Sequence, residues 1–221
     1  MSIGIGDNLT QSFEFSKEKL GGNIGTWLIL SILNLIPIVD WIVYGTYVKI
    51  LRGEEPDLNN MGKSFVDGLL ALIIGLIYMI IPILLIIVLS IGTFSIGSMT
   101  ATPGPETFHS MMLAGAGLAL NIGLVILCLI VAFLFALIAK PAVVNFARNG
   151  FGAAFKFGEI FSMISKAGWL KYILSLLVFW IIFGVIIFVC VIIPVLGWVL
   201  LIFILPFLYF WGAKYLANLF E

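Results

Sequence analysis

Charge is what this sequence has least of. Only 10% of its 221 residues are Asp, Glu, Lys or Arg, while 62% are apolar. A soluble domain carries roughly 25% charged residues, so a globule exposed to water is excluded. A bilayer is the solvent that fits. The eleven cations and eleven anions cancel, and no basic cluster interleaved with aromatic residues occurs. That leaves no footprint for nucleic acid. Histidine and cysteine are also scarce. The single His109 has Glu106 as its one nearby acid, and Cys128 and Cys190 sit inside apolar runs without metal or redox spacing. No Ser/His/Asp arrangement, phosphate-cradling loop or carboxylate pair appears. We therefore expect no enzyme, no cofactor and no metal. Residues Met1 to Gly22 hold no apolar core of a signal peptide, so membrane insertion is expected to use the first apolar run itself.

Apolar runs are what the sequence does have. Five stand out: Ile24 to Leu51, about Gly68 to Phe94, about Met111 to Ala139, Trp169 to Ile193, and Trp198 to about Leu216. A helix needs about 20 apolar residues to cross the hydrocarbon core. Within lipid every backbone donor must be paired inside its own segment, which leaves helix as the conformation for these runs. The fold class is thus all-α: a polytopic membrane protein with four full transmembrane helices. We read it as one membrane domain over 1–221. Its parts are an interfacial N-terminal segment (1–23), the first hairpin of an internal repeat (24–51), a central helix pair (68–139) and the second repeat copy (147–218).

The basic residues orient these spans. None lies between Ser64 and Ala139, and the turn Pro194–Gly197 has none either. The positive-inside rule puts those connections outside. The loops Arg52–Lys63 and Lys140–Lys166 and both termini are then cytoplasmic, in a cell-membrane protein. The first run is the exception, because Pro37 and Asp40 interrupt it near its middle. Each half is about 12 residues, or ~18 Å of helix, too short to span. We read a re-entrant hairpin with both ends in the cytoplasm. The alternative is one long kinked fifth span with the N-terminus outside.

An internal repeat accompanies the hairpin. Phe13-Glu14-Phe15 precedes Trp27 as Phe155-Lys156-Phe157 precedes Trp169, at the same spacing. Ile36-Pro37-Ile38-Val39-Asp40-Trp41 then matches Ile193-Pro194-Val195-Leu196-Gly197-Trp198, and Gly45-Thr46-Tyr47-Val48-Lys49 matches Gly212-Ala213-Lys214-Tyr215. Chance matching of apolar sequence is the competing explanation. Ahead of each hairpin lies a segment patterned as an amphipathic interfacial helix. In the first, Leu9, Phe13 and Leu20 share a face. In the second, Phe151, Phe155 and Phe161 alternate with Lys156 and Glu159.

Few residues carry chemistry. Asp40 is the one acid inside an apolar stretch, so it could bind a cation or relay a proton. Its expected role is the plainer one, a cap on the helix that starts at Trp41. Asn34 and Asn121 are further polar residues in apolar runs, suited to hydrogen bonds across helices. Gly115, Ala119 and Gly123 recur every four residues, a seam along which another helix could pack closely. Met99, Met111 and Met112 lie near His109 and read as apolar packing, and Pro103-Gly104-Pro105 marks an outer turn. Asn8-Leu9-Thr10 matches a glycosylation sequon, expected to be unused on the cytoplasmic side.

Short motifs run through most of the chain: Gly45-Thr46-Tyr47, Leu51-Arg52-Gly53-Glu54, Phe65-Val66-Asp67-Gly68-Leu69, Asn145-Phe146-Ala147-Arg148 and Phe155-Lys156-Phe157. With them the chain resembles a family of prokaryotic, chiefly archaeal, membrane proteins, domain of unknown function 4013. The resemblance implies a polytopic membrane protein and supplies no activity. The expectation is a non-enzymatic protein that organises membrane lipids or serves as a subunit of a larger assembly. It would act as a homo-oligomer or with other membrane subunits. The alternative is a transporter or channel subunit with a site near Asp40.

Overall fold

The computed structural model describes the backbone of residues 3–100, 108–193 and 195–221, and the side chains of 3–89, 122–193 and 195–221. Every regular element described is a helix. The eight α-helices are α1 (Ile5–Ser16), α2 (Ile24–Leu35), α3 (Trp41–Arg52), α4 (Met61–Thr100), α5 (Phe108–Asn149), α6 (Phe157–Ala167), α7 (Trp169–Ile192) and α8 (Leu196–Leu219). A π turn (Lys17–Gly21) extends α1, and a 3-10 turn (Phe151–Phe155) leads into α6. Residues 1–74 and 140–221 form one compact unit, and residues 75–139 form a second.

Four helices are long and apolar enough to cross a membrane: α4 over Met61–Leu89, α5 over Ile122–Asn149, α7 and α8. The first apolar run divides into α2 and α3, twelve residues each. Pro37 explains the break, since it cannot donate to the helix and biases the residue before it toward extended backbone. Ile36 is indeed extended (φ −99°, ψ 112°), and Ile38 then adopts φ 75°. The α7–α8 turn has the same form, with Ile193 extended (φ −84°, ψ 106°) and Val195 at φ 61°. Positive φ is rare for β-branched residues, so the two turns share an unusual conformation at matching positions.

In the first unit, α8 is the hub against which α1, α2, α3 and α7 pack. Phe179 of α7 stacks on Tyr215 of α8 with ring centroids 4.9 Å apart, and Leu208 and Trp211 complete the buried cluster. The Tyr215 hydroxyl donates to the Ser175 carbonyl at 3.1 Å, so the buried phenol keeps a partner. The α3–α4 contact depends on two glycines. A Cβ on Gly45 would overlap the Ser64 carbonyl, and one on Gly68 would overlap the Trp41 carbonyl.

Two details differ from the sequence reading. The face that α1 buries is Asn8, Ser12, Ser16 and Leu20, whereas Phe13 stays 39% exposed. Small side chains let α1 approach α8 closely, and Asn8 gains the Tyr215 carbonyl at 3.0 Å. Phe13 reaches α8 from the side, edge-on to Phe207 and Trp211 at 5.3 and 5.4 Å. The second difference is that Lys140 is not in a loop. α5 continues through Lys140 and Pro141 as far as Asn149. A proline within a helix does not end it when neighbouring groups satisfy the freed carbonyl.

Candidate functional site

The α2–α3 turn brings Asp40 to the start of α3. Its own backbone is already helical (φ −56°, ψ −20°), and its side chain makes no cap bond. A cap residue needs non-helical backbone to turn its oxygen back onto the helix. Here the reversal occurs two residues earlier, at Ile38, so the cap expected of Asp40 does not form. Asp40 Oδ1 is instead buried without a hydrogen-bond partner among the described residues. Tyr209 of α8 lies close enough for the two groups to interact, and the Tyr44 and Tyr209 rings are 5.2 Å apart. The other end of α2 is tied to α8 through Trp27, whose indole donates to the Phe203 carbonyl at 2.7 Å.

The other expected polar positions do not join this place. Asn34 is half-buried and makes no side-chain hydrogen bond among the described residues. Asn121, Gly115, Ala119, His109 and the nearby methionines lie outside the described side chains. Gly123 is exposed, and a Cβ added there would meet nothing within 4 Å.

A dense set of polar ties surrounds the chain reversals at the basic end of the first unit. Lys49, buried to 5% exposure, donates to Asp57 Oδ1 at 2.8 Å and to the Asp57 and Asn59 carbonyls. Hydrogen bonds from Lys49 and then Asn59 hold the Asp57 carboxyl below its ordinary range. Arg52 links three helices, donating to the Ala147 carbonyl at 2.7 Å and pairing with Asp67 at 3.1 Å. Arg148 donates to the carbonyls of Leu51, Ala217 and Phe220, which closes the C-terminal ends of α3 and α8. Cations are favoured at helix C-termini, where the last carbonyls lack partners. Asn145 donates to the Ala153 carbonyl and to Glu159 at 2.8 and 3.0 Å.

The sequence reading found Asp40 by its isolation in an apolar run. It missed Arg52, Arg148 and Asn145 as ties, because they sit in ordinary polar connections and their partners are remote in sequence. It also missed Lys140, half-buried and without an ion pair among the described residues. Its one signal was the charge directly after an apolar run.

Four helices long and apolar enough to cross a membrane make this a multi-pass helical membrane protein. Within that class, the model of the DUF4013 family, described as proteins of unknown function, matches residues 29–195, and the chain belongs to that family. No curated protein and no solved structure shows significant similarity to it.

Proposed function

We propose that the protein is a non-enzymatic membrane component that organises lipid around its spans, with a subunit role in a larger assembly as the form this takes in the cell. The carrying observation is the bareness of the spanning helices. Only 17% of the apolar window of α4 and 11% of that of α5 is buried by the chain itself. Val88, Ile122, Leu129, Ile181 and Phe188 are each more than 60% exposed. Such faces must be covered by lipid or by further chains. The small-residue seam Gly115–Ala119–Gly123 is where a second copy would approach, and Ala119→Leu should then weaken self-association. Native mass spectrometry of protein released from mild detergent tests both points. A lipid-laden or oligomeric wild type supports the reading. A bare monomer whose mass is unchanged by Ala119→Leu overturns it.

The topology we favour keeps the N- and C-termini in the cytoplasm, with α2–α3 as a shallow re-entrant hairpin. Trp41 lies beside Gly68, only seven residues into α4, or ~10 Å from its start. The matching backbone of the two proline turns supports descent of both hairpins from one duplicated unit. Cysteine placed at Ser2, with Cys128 and Cys190 removed, tests the topology. Protection from an impermeant reagent until the membrane is opened agrees with the hairpin, and labelling in intact cells contradicts it.

One observation favours transport as a second reading: the unpartnered, buried Asp40 Oδ1. Ionisable groups inside a membrane mark ion pathways by default. A proton or cation flux in reconstituted vesicles, abolished in Asp40→Asn, would establish transport; no flux in the wild type rejects it.

A further inference from the structure

At the basic end of the first unit lies an open pocket of about 880 Å³, walled by the C-terminal ends of α5 and α8, the length of α6, the first turn of α7, and Ile3 and Gln11 of the N-terminal segment. Its charges are not balanced. Arg148, Lys166 and Lys171 line it, opposed by the carboxylates of Glu159 and Glu221. Both acids are already met by lysines that do not line the pocket, Glu159 by Lys156 at 2.9 Å and Glu221 by Lys214 at 4.0 Å. Arg148 donates to carbonyls and pairs with no carboxylate among the described residues, so it carries a full positive charge offset only by the ends of α3 and α8. Lys166 and Lys171 have neither an ion pair nor a hydrogen bond among the described residues, and Lys171 is half-buried.

The surroundings select the kind of anion. Gly168, at φ 88°, makes the corner that brings Lys166 at the end of α6 close to Lys171 in the first turn of α7. Next to that corner Phe161 and Trp169 stand 6.0 Å apart, 42% and 44% exposed. Trp169, so exposed at the start of a spanning helix, is placed for the headgroup level, with Phe161 of α6 beside it. Asn149, Ser162 and Asn218 add neutral donors to the wall, while Met163 and Leu219 supply apolar surface beside them. Basic pockets among helices on the cytoplasmic side suit phospholipid headgroups.

We infer that this pocket binds a phosphate group, supplied by an anionic phospholipid whose headgroup sits between Arg148, Lys166 and Lys171. The assignment rests on the membrane embedding argued above and names the lipid class that the protein would organise. Glu159 is held by Lys156 at 2.9 Å and Glu221 faces Lys214 at 4.0 Å, which leaves Lys166 and Lys171 to the phosphate with Arg148 adding its charge beside them. The Ser162 hydroxyl can donate to a remaining oxygen, as can the one N–H that Asn149 and Asn218 each keep after donating to Asn145 and Asn8.

The test compares wild type with Lys166→Gln/Lys171→Gln, purified whole in detergent. Neither lysine ties the fold, so both proteins should unfold at the same temperature. Arg148 is left intact because it closes two helix ends. A second variant, Lys17→Gln/Lys63→Gln, removes two exposed lysines outside the pocket. Binding of phosphatidylglycerol and phosphatidylcholine is measured by native mass spectrometry, with and without inorganic phosphate. Each lysine should contribute about 1 kcal/mol, or about fivefold, so the pocket variant should bind phosphatidylglycerol ~25-fold more weakly. Phosphatidylcholine should be unaffected, and the control variant should match wild type. Equal loss in both variants means diffuse surface charge and overturns the pocket, as does no loss in either. Displacement of the lipid by millimolar inorganic phosphate, with the same lysine dependence, keeps the phosphate site but overturns the lipid as its source. If wild type holds no lipid at all yet binds inorganic phosphate through these lysines, the lipid-organising function fails while the phosphate site stands.

Discussion

The two units of the chain are built by different physics. Residues 1–74 and 140–221 contain all eleven Lys and Arg and ten of the eleven acids, whereas 75–139 contains one charged residue, Glu106. The first unit closes on itself with an aromatic cluster around α8 and with cations tied to remote carbonyls and carboxylates. The second presents apolar side chains outward, including Ile80, Leu84, Val88, Leu129 and Leu134, all about half exposed or more. The first unit therefore carries its own instructions for packing. The second depends on whatever surrounds it, because lipid provides no hydrophobic drive between helices and only close packing or hydrogen bonds can hold them.

The contrast can be broken most severely at Arg52. Replacing it with Leu leaves Asp67, 8% exposed, without its charge partner, and also frees the Ala147 carbonyl. Removing one member of a buried pair costs about 3–5 kcal/mol. The partial exposure of Arg52 argues for the low end, read as a lower midpoint in thermal unfolding in detergent. Unchanged unfolding would mean that polar ties do not hold this unit.

Glycine substitutions sharpen the comparison directly. Gly45→Ala and Gly68→Ala each drive a methyl into backbone, an overpacking that costs about 1–3 kcal/mol or more. Gly75→Ala and Gly123→Ala meet nothing within 4 Å and should be neutral, or stabilising by about 0.5–1 kcal/mol through helix propensity. If the second pair proves as harmful as the first, another chain or ordered lipid fills the space beside those glycines. Chemical crosslinking would then show which.

A smaller effect is expected at Asn8. Its amide is 1% exposed, donates to the Tyr215 carbonyl, and accepts from Asn218 at 2.9 Å. Asn8→Ala leaves these groups unpaired at a cost of about 1–3 kcal/mol. Faster proteolysis of the first twenty residues, with the rest of the chain resistant, would report loosening of α1. The same burial means that the Asn8 sequon cannot carry a glycan in the folded protein.

The smallest effect is that of pH, and it too belongs to the charged unit. Asp57 is held below its ordinary value of 3.8 chiefly by Lys49, and Glu159 below 4.5 chiefly by Asn145 and then Lys156. Depressed carboxylates stabilise the fold while ionised, and that contribution disappears as pH falls through their lowered values. Stability should thus be level from neutrality to about pH 5 and decline slightly below pH 4. Lys19, raised above 10.5 chiefly by its bond to Glu55, behaves oppositely: its contribution is lost only as the pH rises beyond that value. The two carboxylates are exposed and Lys19 partly so, so all three slopes should be shallow and sensitive to salt. Unfolding followed across the acid range, with Asp57→Asn/Glu159→Gln as the flatter reference, checks the sign.

Sequence by itself determined the class of this protein and most of its helices. Apolar runs long enough to cross a bilayer leave the backbone one way to pair its donors, and proline at position 37 breaks a helix wherever it falls. These are local facts. Only the tertiary structure decided how Asp40 is used, because a positive φ at Ile38 shifts the reversal and removes its chance to cap. It also decided which face of α1 is buried, since small polar side chains earn burial only where α8 offers a carbonyl at the right distance. The course of α5 past Pro141 depends in the same way on neighbours that a sequence does not display. Arg148, with Ala217 and Phe220 as partners some seventy residues away, became an anchor, and Lys166 and Lys171 were left with no partner among the described residues. Hydrophobicity acts through composition and can be read along the chain, whereas a polar tie requires two groups at a set distance, and that distance exists only after folding.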